Sequence, residues 1–223
     1  MELTGGRFVK YWLGSGKLRA HVDAIHAALP RADLYSGEIA VGVALRTGCA
    51  CIVATVSRTV AELNRPPSAS NREAVEEYRR VIRKVLEHCG ILDEKTGQVT
   101  GPYLHLAVRG LADRNFGPFA VEIGTRHGES CSEGVYRWLF GLVPALAERL
   151  LPAKTHVLLD RCFVGDPSKV FHRRGDGRGY AGYGPDFNTV QVEISLTLRK
   201  EYREAVIEFL SCLVREFNST FLP

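Results

Sequence analysis

No run of about 18 uninterrupted apolar residues occurs in this chain, the length a helix needs to cross a bilayer. The opening residues, MELTGGRFVKYWLGSGK, hold no apolar stretch behind a basic start, so no membrane association and a cytoplasmic location are expected. No C-x-x-C pair is present; the cysteines at 49, 51, 89, 131, 162 and 212 lie mostly in apolar runs and read as reduced, buried thiols rather than a zinc ribbon. Repeats, low-complexity tracts and dense Lys/Arg blocks are lacking, which excludes solenoids and disorder and leaves no footprint for nucleic acid.

What is present is an ordinary globular composition, 45% hydrophobic and 24% charged, with a formal charge of +4. At 223 residues the chain is expected to form one domain, 1–223. Of its 29 basic residues 22 are arginine, the side chain suited to fixed capture of carboxylates.

Short apolar runs at 50–56, 103–108, 119–123, 155–160 and 189–196 alternate with helical patterns. Several are apolar on both faces, so the expected class is α/β: three layers, α/β/α, around a central mixed, mostly parallel sheet. Helices are expected at 34–46 with Asp33 as cap, at 71–89 with a Ser70/Glu73 capping box and Gly90 beyond the end, at 132–150 around Pro144, and at 201–217. The glycine- and arginine-rich stretch 172–185 reads as a loop of little intrinsic order, a solvated connection or a lid.

Four places carry candidate chemistry. Alternation in 189–196 sets Gln191, Glu193 and Ser195 on one face, and a carboxylate in mid-sheet needs a partner, a metal or a proton-transfer role. The same period in 103–109 aligns His105 with Arg109. His21 and His26 follow an expected short strand at 17–20, and their five-residue spacing lets a loop bring two imidazoles to one ion. The run Ser57-Arg58-Thr59-Val60-Ala61-Glu62-Leu63-Asn64-Arg65 follows a strand, where open α/β sheets bind ligands, and suits an acidic small molecule. A rival nucleophile, Ser130 or Cys131 in Gly128-Glu129-Ser130-Cys131-Ser132, fits an esterase elbow poorly, because Ser132 stands in place of the final glycine and Ser130 with Glu133 reads as a capping box.

Taken in order, Ala32-Asp33-Leu34-Tyr35-Ser36-Gly37-Glu38-Ile39-Ala40, the Ser57-Arg58 to Asn64-Arg65 run, Val121-Glu122-Ile123-Gly124-Thr125-Arg126 with Gly128, and Val192-Glu193-Ile194 resemble the N-formylglutamate amidohydrolases. The resemblance implies a zinc-exopeptidase type of α/β fold and hydrolysis of the amide of a small N-acylated acidic amino acid. It implies zinc as cofactor, with His21, His26 and His105 as the ligand set, Glu193 as general acid/base, and Arg58, Asn64 and Arg65 on the substrate carboxylate. Arg109 and Arg126 are further substrate-binding candidates. The chain departs from the family's early Pro-His-Ser-Gly loop, and one register sets Arg109 where the family's later histidine ends its strand. That register leaves a second reading, a metal-free binding protein on the same fold.

Overall fold

The computed structural model describes residues 1–222; Pro223, the last residue of the expected domain, lies outside the described residues. In chain order the elements are β1 (Thr4–Gly5), β2 (Val9–Trp12), β3 (Ala20–Ala24), α1 (Ser36–Thr47), β4 (Ala50–Ala54), α2 (Arg72–His88), β5 (Tyr103–Leu111), α3 (Asp113–Phe116), β6 (Ala120–Gly124), α4 (Glu133–Leu150), β7 (His156–Leu159), α5 (Pro167–Arg174), β8 (Phe187–Ser195), α6 (Leu196–Glu201) and α7 (Arg203–Phe221).

All strands join one sheet in the order β1-β2-β4-β3-β5-β8-β6-β7. The pairs β4–β3, β3–β5, β5–β8 and β6–β7 are parallel, and β1–β2, β2–β4 and β8–β6 antiparallel, so the sheet is mixed and mostly parallel. Strands β3, β4, β5, β6 and β8 are buried along nearly their whole length, as parallel strands covered on both faces must be. One face packs Ile39 and Val43 of α1, Val135 and Leu139 of α4, and Phe209, Leu213 and Phe217 of α7 against Val22, Leu106 and Val192. The opposite face packs Tyr78, Ile82 and Val85 of α2 with Tyr183 and Phe187 against Ile52 and Tyr103. This is the expected three-layer arrangement. No helix among the described residues is long and apolar enough to cross a membrane.

Several boundaries differ from the sequence expectation, each for a local reason. Helix α1 starts at Ser36 behind a left-handed Tyr35, because the Asp33 carboxylate is engaged by Arg58 and His26 and only its backbone carbonyl serves the helix start. Helix α2 is entered through Asn71, whose amide bonds Ser68, Glu62 and Pro66, so the Ser70/Glu73 box is not formed. Ser132 caps α4, accepting from the Val135 N–H at 3.3 Å, while Ser130 turns inward. The helix expected at 201–217 is α7, Arg203–Phe221, set off at Tyr202 from the short α6 that precedes it.

The 172–185 stretch is less open than expected. Its first residues complete α5 behind an Asp166 cap, and His172 and Tyr183 are buried. Asp176 accepts from the Arg178 and Tyr180 N–H groups and pairs with Arg79, whose guanidinium also lies 3.9 Å from the Tyr180 ring centre. Side chains on α2 therefore order a segment that glycine alone would leave loose.

Candidate active site

A cleft of about 460 Å³ opens where strand ends and loops meet, the position at which open α/β sheets bind ligands. Its walls are His26 and Asp33 beyond β3, Arg58, Glu62, Asn64 and Arg65 beyond β4, Arg109 and Gly110 near the end of β5, Gln191 and Glu193 on β8, and the 162–167 segment. Glu122 anchors that last segment by accepting the N–H groups of Arg161, Cys162 and Phe163 at 2.9, 2.6 and 2.9 Å.

The structure thus gathers Glu193, Arg58, Asn64, Arg65, Arg109 and His26 on one cleft. Arg126 is not among its lining residues; it pairs with Glu129 at 3.6 Å and leans on Gly165. Arg58 bonds Asp33, and Arg65, 63% exposed at its side chain, bonds Asp166. Asn64 accepts from the Ser168 hydroxyl at 3.1 Å.

Glu193 stands in mid-strand opposite Arg109 on β5 and Glu122 on β6. Its Oε1 accepts from Gln191 Nε2 at 3.0 Å. Burial, reinforced by the charges of Asp33 and Glu122, pushes its carboxyl up to about 7 against the pull of Arg109 and Arg199. Such a group exchanges protons near neutrality.

His26 lies between two carboxylates. Its Nε2 is 2.7 Å from Glu62 Oε1 and its Nδ1 3.5 Å from Asp33 Oδ2. Burial works to raise both carboxyls, but the bond and charge of His26, with Arg58 nearby, leave both below the usual range.

His21 and His105 lie elsewhere, inside the sheet and without solvent exposure. Their rings stack at 4.2 Å, and Asp23 completes a group whose candidate donor atoms all fall within 4.8 Å of one another. His26 is not part of this group, so the structure brings two of the three expected imidazoles together, with Asp23 in place of the third.

Spacing alone would let His21, Asp23 and His105 hold an ion, but the surroundings oppose it. Asp23 Oδ1 accepts from Arg109 Nη1 at 2.9 Å, and Oδ2 accepts from His105 Nε2 at 2.8 Å and from the Tyr78 hydroxyl. Both carboxylate oxygens are therefore already engaged, and Arg109 and His105 hold the group well below its usual range despite burial. Lys169, 1% exposed and without an ion pair among the described residues, adds a second cationic group whose amine burial and Arg109 push down to about 7. A divalent cation would displace these bonds and meet like charge.

In the cleft itself, the Nδ1 of His26 and the Asp33 carboxylate are spaced as two donors to one ion would be, with Glu62 behind Nε2 as an outer partner. A catalytic zinc takes three protein donors, and beside this pair the cleft sets the Arg109 and Arg58 guanidiniums, whose charges already act on Asp33. The residues present do not fit a catalytic zinc in either place.

Among the described residues no histidine or carboxylate is hydrogen-bonded to Ser130 or Cys131, as the serine and cysteine alternative needs. The Ser130 hydroxyl bonds the Thr189 and Thr125 carbonyls at 2.7 and 3.0 Å, and burial pushes the Cys131 thiol up to about 12.

Sequence reasoning left Asp23, Glu62, Tyr78 and Lys169 unassigned. Asp23 was readable, since period two sets it on the face of His21, and Glu62 lay within the run already singled out. Lys169 and Tyr78 left no readable signal, because their place beside Asp23 depends on helices packing over the sheet.

Solved structures give the fold a context. The N-formylglutamate amidohydrolase of Ralstonia eutropha JMP134 superposes with a TM-score of 0.62 at 13% identity, over 95% of this chain and 99% of that one. Gene product Atu2144 of Agrobacterium tumefaciens gives 0.58 at 15%, over 96% and 95%, and a bacteriophage poly-gamma-glutamate hydrolase 0.51 at 14%, over 97% and 90%. The likeness expected from the sequence is met in the fold. No protein-family model and no curated protein matches the chain.

Proposed function

We propose that this chain hydrolyses the amide bond of a small N-acylated acidic amino acid, with Glu193 as its proton-transfer group. One observation carries the reading: a carboxyl pushed up to about 7 lines the same cleft as Arg58, Asn64 and Arg65. Two of the neighbours bear names of enzymes that cut amides of glutamate, which supports the substrate class.

In this scheme the substrate carboxylate docks on the arginines of the β4 loop, where Arg58 keeps a buried Nε without an acceptor. Ionised Glu193 takes a proton from water as the oxygen bonds to the acyl carbon. It then returns that proton to the nitrogen as the C–N bond breaks, releasing a carboxylic acid and an amine. No step passes through a metal.

The test is amine release from N-formyl-, N-acetyl- and N-succinyl-L-glutamate and from γ-glutamyl amides, with a chelator present. The wild-type protein should turn over at least one of them, and Glu193→Gln should lower that rate by roughly 10²- to 10⁴-fold with the melting temperature not lowered. Full activity in Glu193→Gln would end the reading. A second reading, a binding protein that performs no hydrolysis, is favoured by the fixed ion pair of Arg109 with Asp23 and predicts ligand binding without turnover.

A further inference from the structure

Arg109 and Glu193 are direct partners across β5 and β8, and both line the cleft. Opposite charges in that relation ordinarily pair. Here no ion pair joins them among the described residues: Arg109 Nη1 is drawn to Asp23 and to its neighbour's carbonyl, Val108 O, while Glu193 is held by Gln191. The Nε and Nη2 N–H groups of Arg109 are consequently buried without an acceptor. Two orphaned donors on a fixed cation are costly unless something supplies an oxygen to them. The guanidinium cannot swing away to find water, because Asp23, itself fully buried, anchors its other nitrogen.

We infer that Arg109 is the anion-holding group of this cleft, its free Nε and Nη2 donors receiving the oxygen that gains negative charge on the scissile acyl group. The inference rests on the proposed amide hydrolysis and specifies what the zinc-poor donor set left open, the source of positive charge at the reacting carbonyl. As water's oxygen bonds to the acyl carbon, Glu193 takes the proton and the carbonyl π pair moves to oxygen, against the guanidinium. Collapse returns that pair to the C–O bond, breaks C–N, and passes the proton from Glu193 to the leaving nitrogen. Fixed donors aimed at developing charge are the usual means of stabilising such an intermediate.

The charged groups around Glu193 set the sign of the test. Asp33 before α1, Arg109 on β5, Glu122 on β6, Lys169 on α5 and Arg199 on α6 all act on it or are acted on by it. An anion seated on Arg109 would add repulsion to the ionised carboxylate, and removing that carboxylate's charge should tighten anion binding.

The probe is the methylphosphonamidate of L-glutamate, in which a charged tetrahedral phosphorus replaces the acyl carbon, compared with N-acetyl-L-glutamate. Affinities are measured by calorimetry at about pH 8 with chelator present. The wild-type protein should prefer the phosphonamidate by roughly tenfold or more, the scale of one charge-assisted hydrogen bond. Arg109→Gln should remove the preference while leaving N-acetyl-L-glutamate binding within about threefold, and Glu193→Gln should enlarge it. If Arg109→Gln fails to fold for want of Asp23's partner, Arg109→Lys keeps the charge, loses the fork, and should show a reduced preference. A preference undiminished in these variants, or one that needs added zinc, would overturn the inference while leaving the hydrolase reading in place. Failure of the wild-type protein to bind either compound would remove both.

Discussion

Asp23 sits at 0% exposure with a guanidinium, an imidazole and a phenol on its two oxygens, and the consequences of disturbing it follow from charge alone. Replacing it by Asn leaves Arg109 buried without its counter-charge, a class of change that costs about 3–5 kcal/mol. Asp23→Asn should therefore lower the midpoint of denaturant unfolding sharply, and a midpoint within experimental scatter of wild type would show that Arg109 has another partner. Glu193 behaves in the opposite sense. Its folded value of about 7 exceeds the unfolded one, so its contribution to stability is present below roughly pH 4 and lost as pH rises through 7. Glu193→Gln should be more stable than wild type above neutrality, by up to about 3 kcal/mol, and indistinguishable from it near pH 4. The same substitution should sharply lower turnover, the pattern of a residue kept for chemistry at the expense of the fold.

At the level of elements, the end of α2 is defined by backbone chemistry alone. Gly90, at φ 66°, donates to the Glu87 carbonyl at 2.9 Å and Ile91 to the Leu86 carbonyl at 3.2 Å, the paired bonds of a left-handed helix stop. A Cβ at Gly90 would meet nothing within 4 Å, so Gly90→Ala costs only the left-handed penalty, about 1–2 kcal/mol, in thermal unfolding. Gly110 is a different case. A Cβ there would lie 2.8 Å from the Asp33 Cβ and 2.9 Å from the Arg199 Cζ, so Gly110→Ala should displace a wall of the cleft and weaken ligand binding more than stability. These elements also show what the sequence exposed. Apolar runs revealed β4, β5, β6, β7 and β8, because burial leaves an unbroken signal, and the Gly90 stop was legible for the same local reason, whereas β3 lies at 20–24 and not at 17–20, since His21 and Asp23 interrupt its apolar run. The early strands β1 and β2 were not legible, since they are short and mostly exposed or half-buried and pair only through long-range contacts. Asp33 read as a helix cap because its chemistry suits a cap; only tertiary structure reveals that Arg58 and His26 claim it first. In the site, Glu193 and the arginines of the β4 loop were visible by period and position, whereas the separation of His26 from His21 and His105 required knowing which way each side chain leaves the sheet.

The whole molecule encloses more titratable groups than its core can ionise. Burial, joined by like charges nearby, drives His21 and His172 well below their usual range and, against the pull of Asp23, lowers His105, so the folded chain resists protonating all three. Unfolding in mild acid lets each take up a proton, so stability falls as pH drops below about 6.5, with a slope approaching 1.4 kcal/mol per pH unit for each histidine. Glu193 opposes this between its unfolded value and 7, but one proton against three leaves the net slope downward toward acid. Asp23, depressed in the folded state, adds its own loss only below about pH 4. Denaturant unfolding at pH 7.5, 6 and 5 should thus show a steady loss of stability in a window where surface carboxylates remain ionised. His172→Phe isolates the cause: its ring already packs against Tyr78, His105 and Phe187, so the replacement keeps the aromatic contacts and should remove about half of the net slope. An unchanged slope in that variant would mean the acid sensitivity arises outside this buried cluster, and the network that fixes Arg109 would then be sturdier toward protons than its geometry implies.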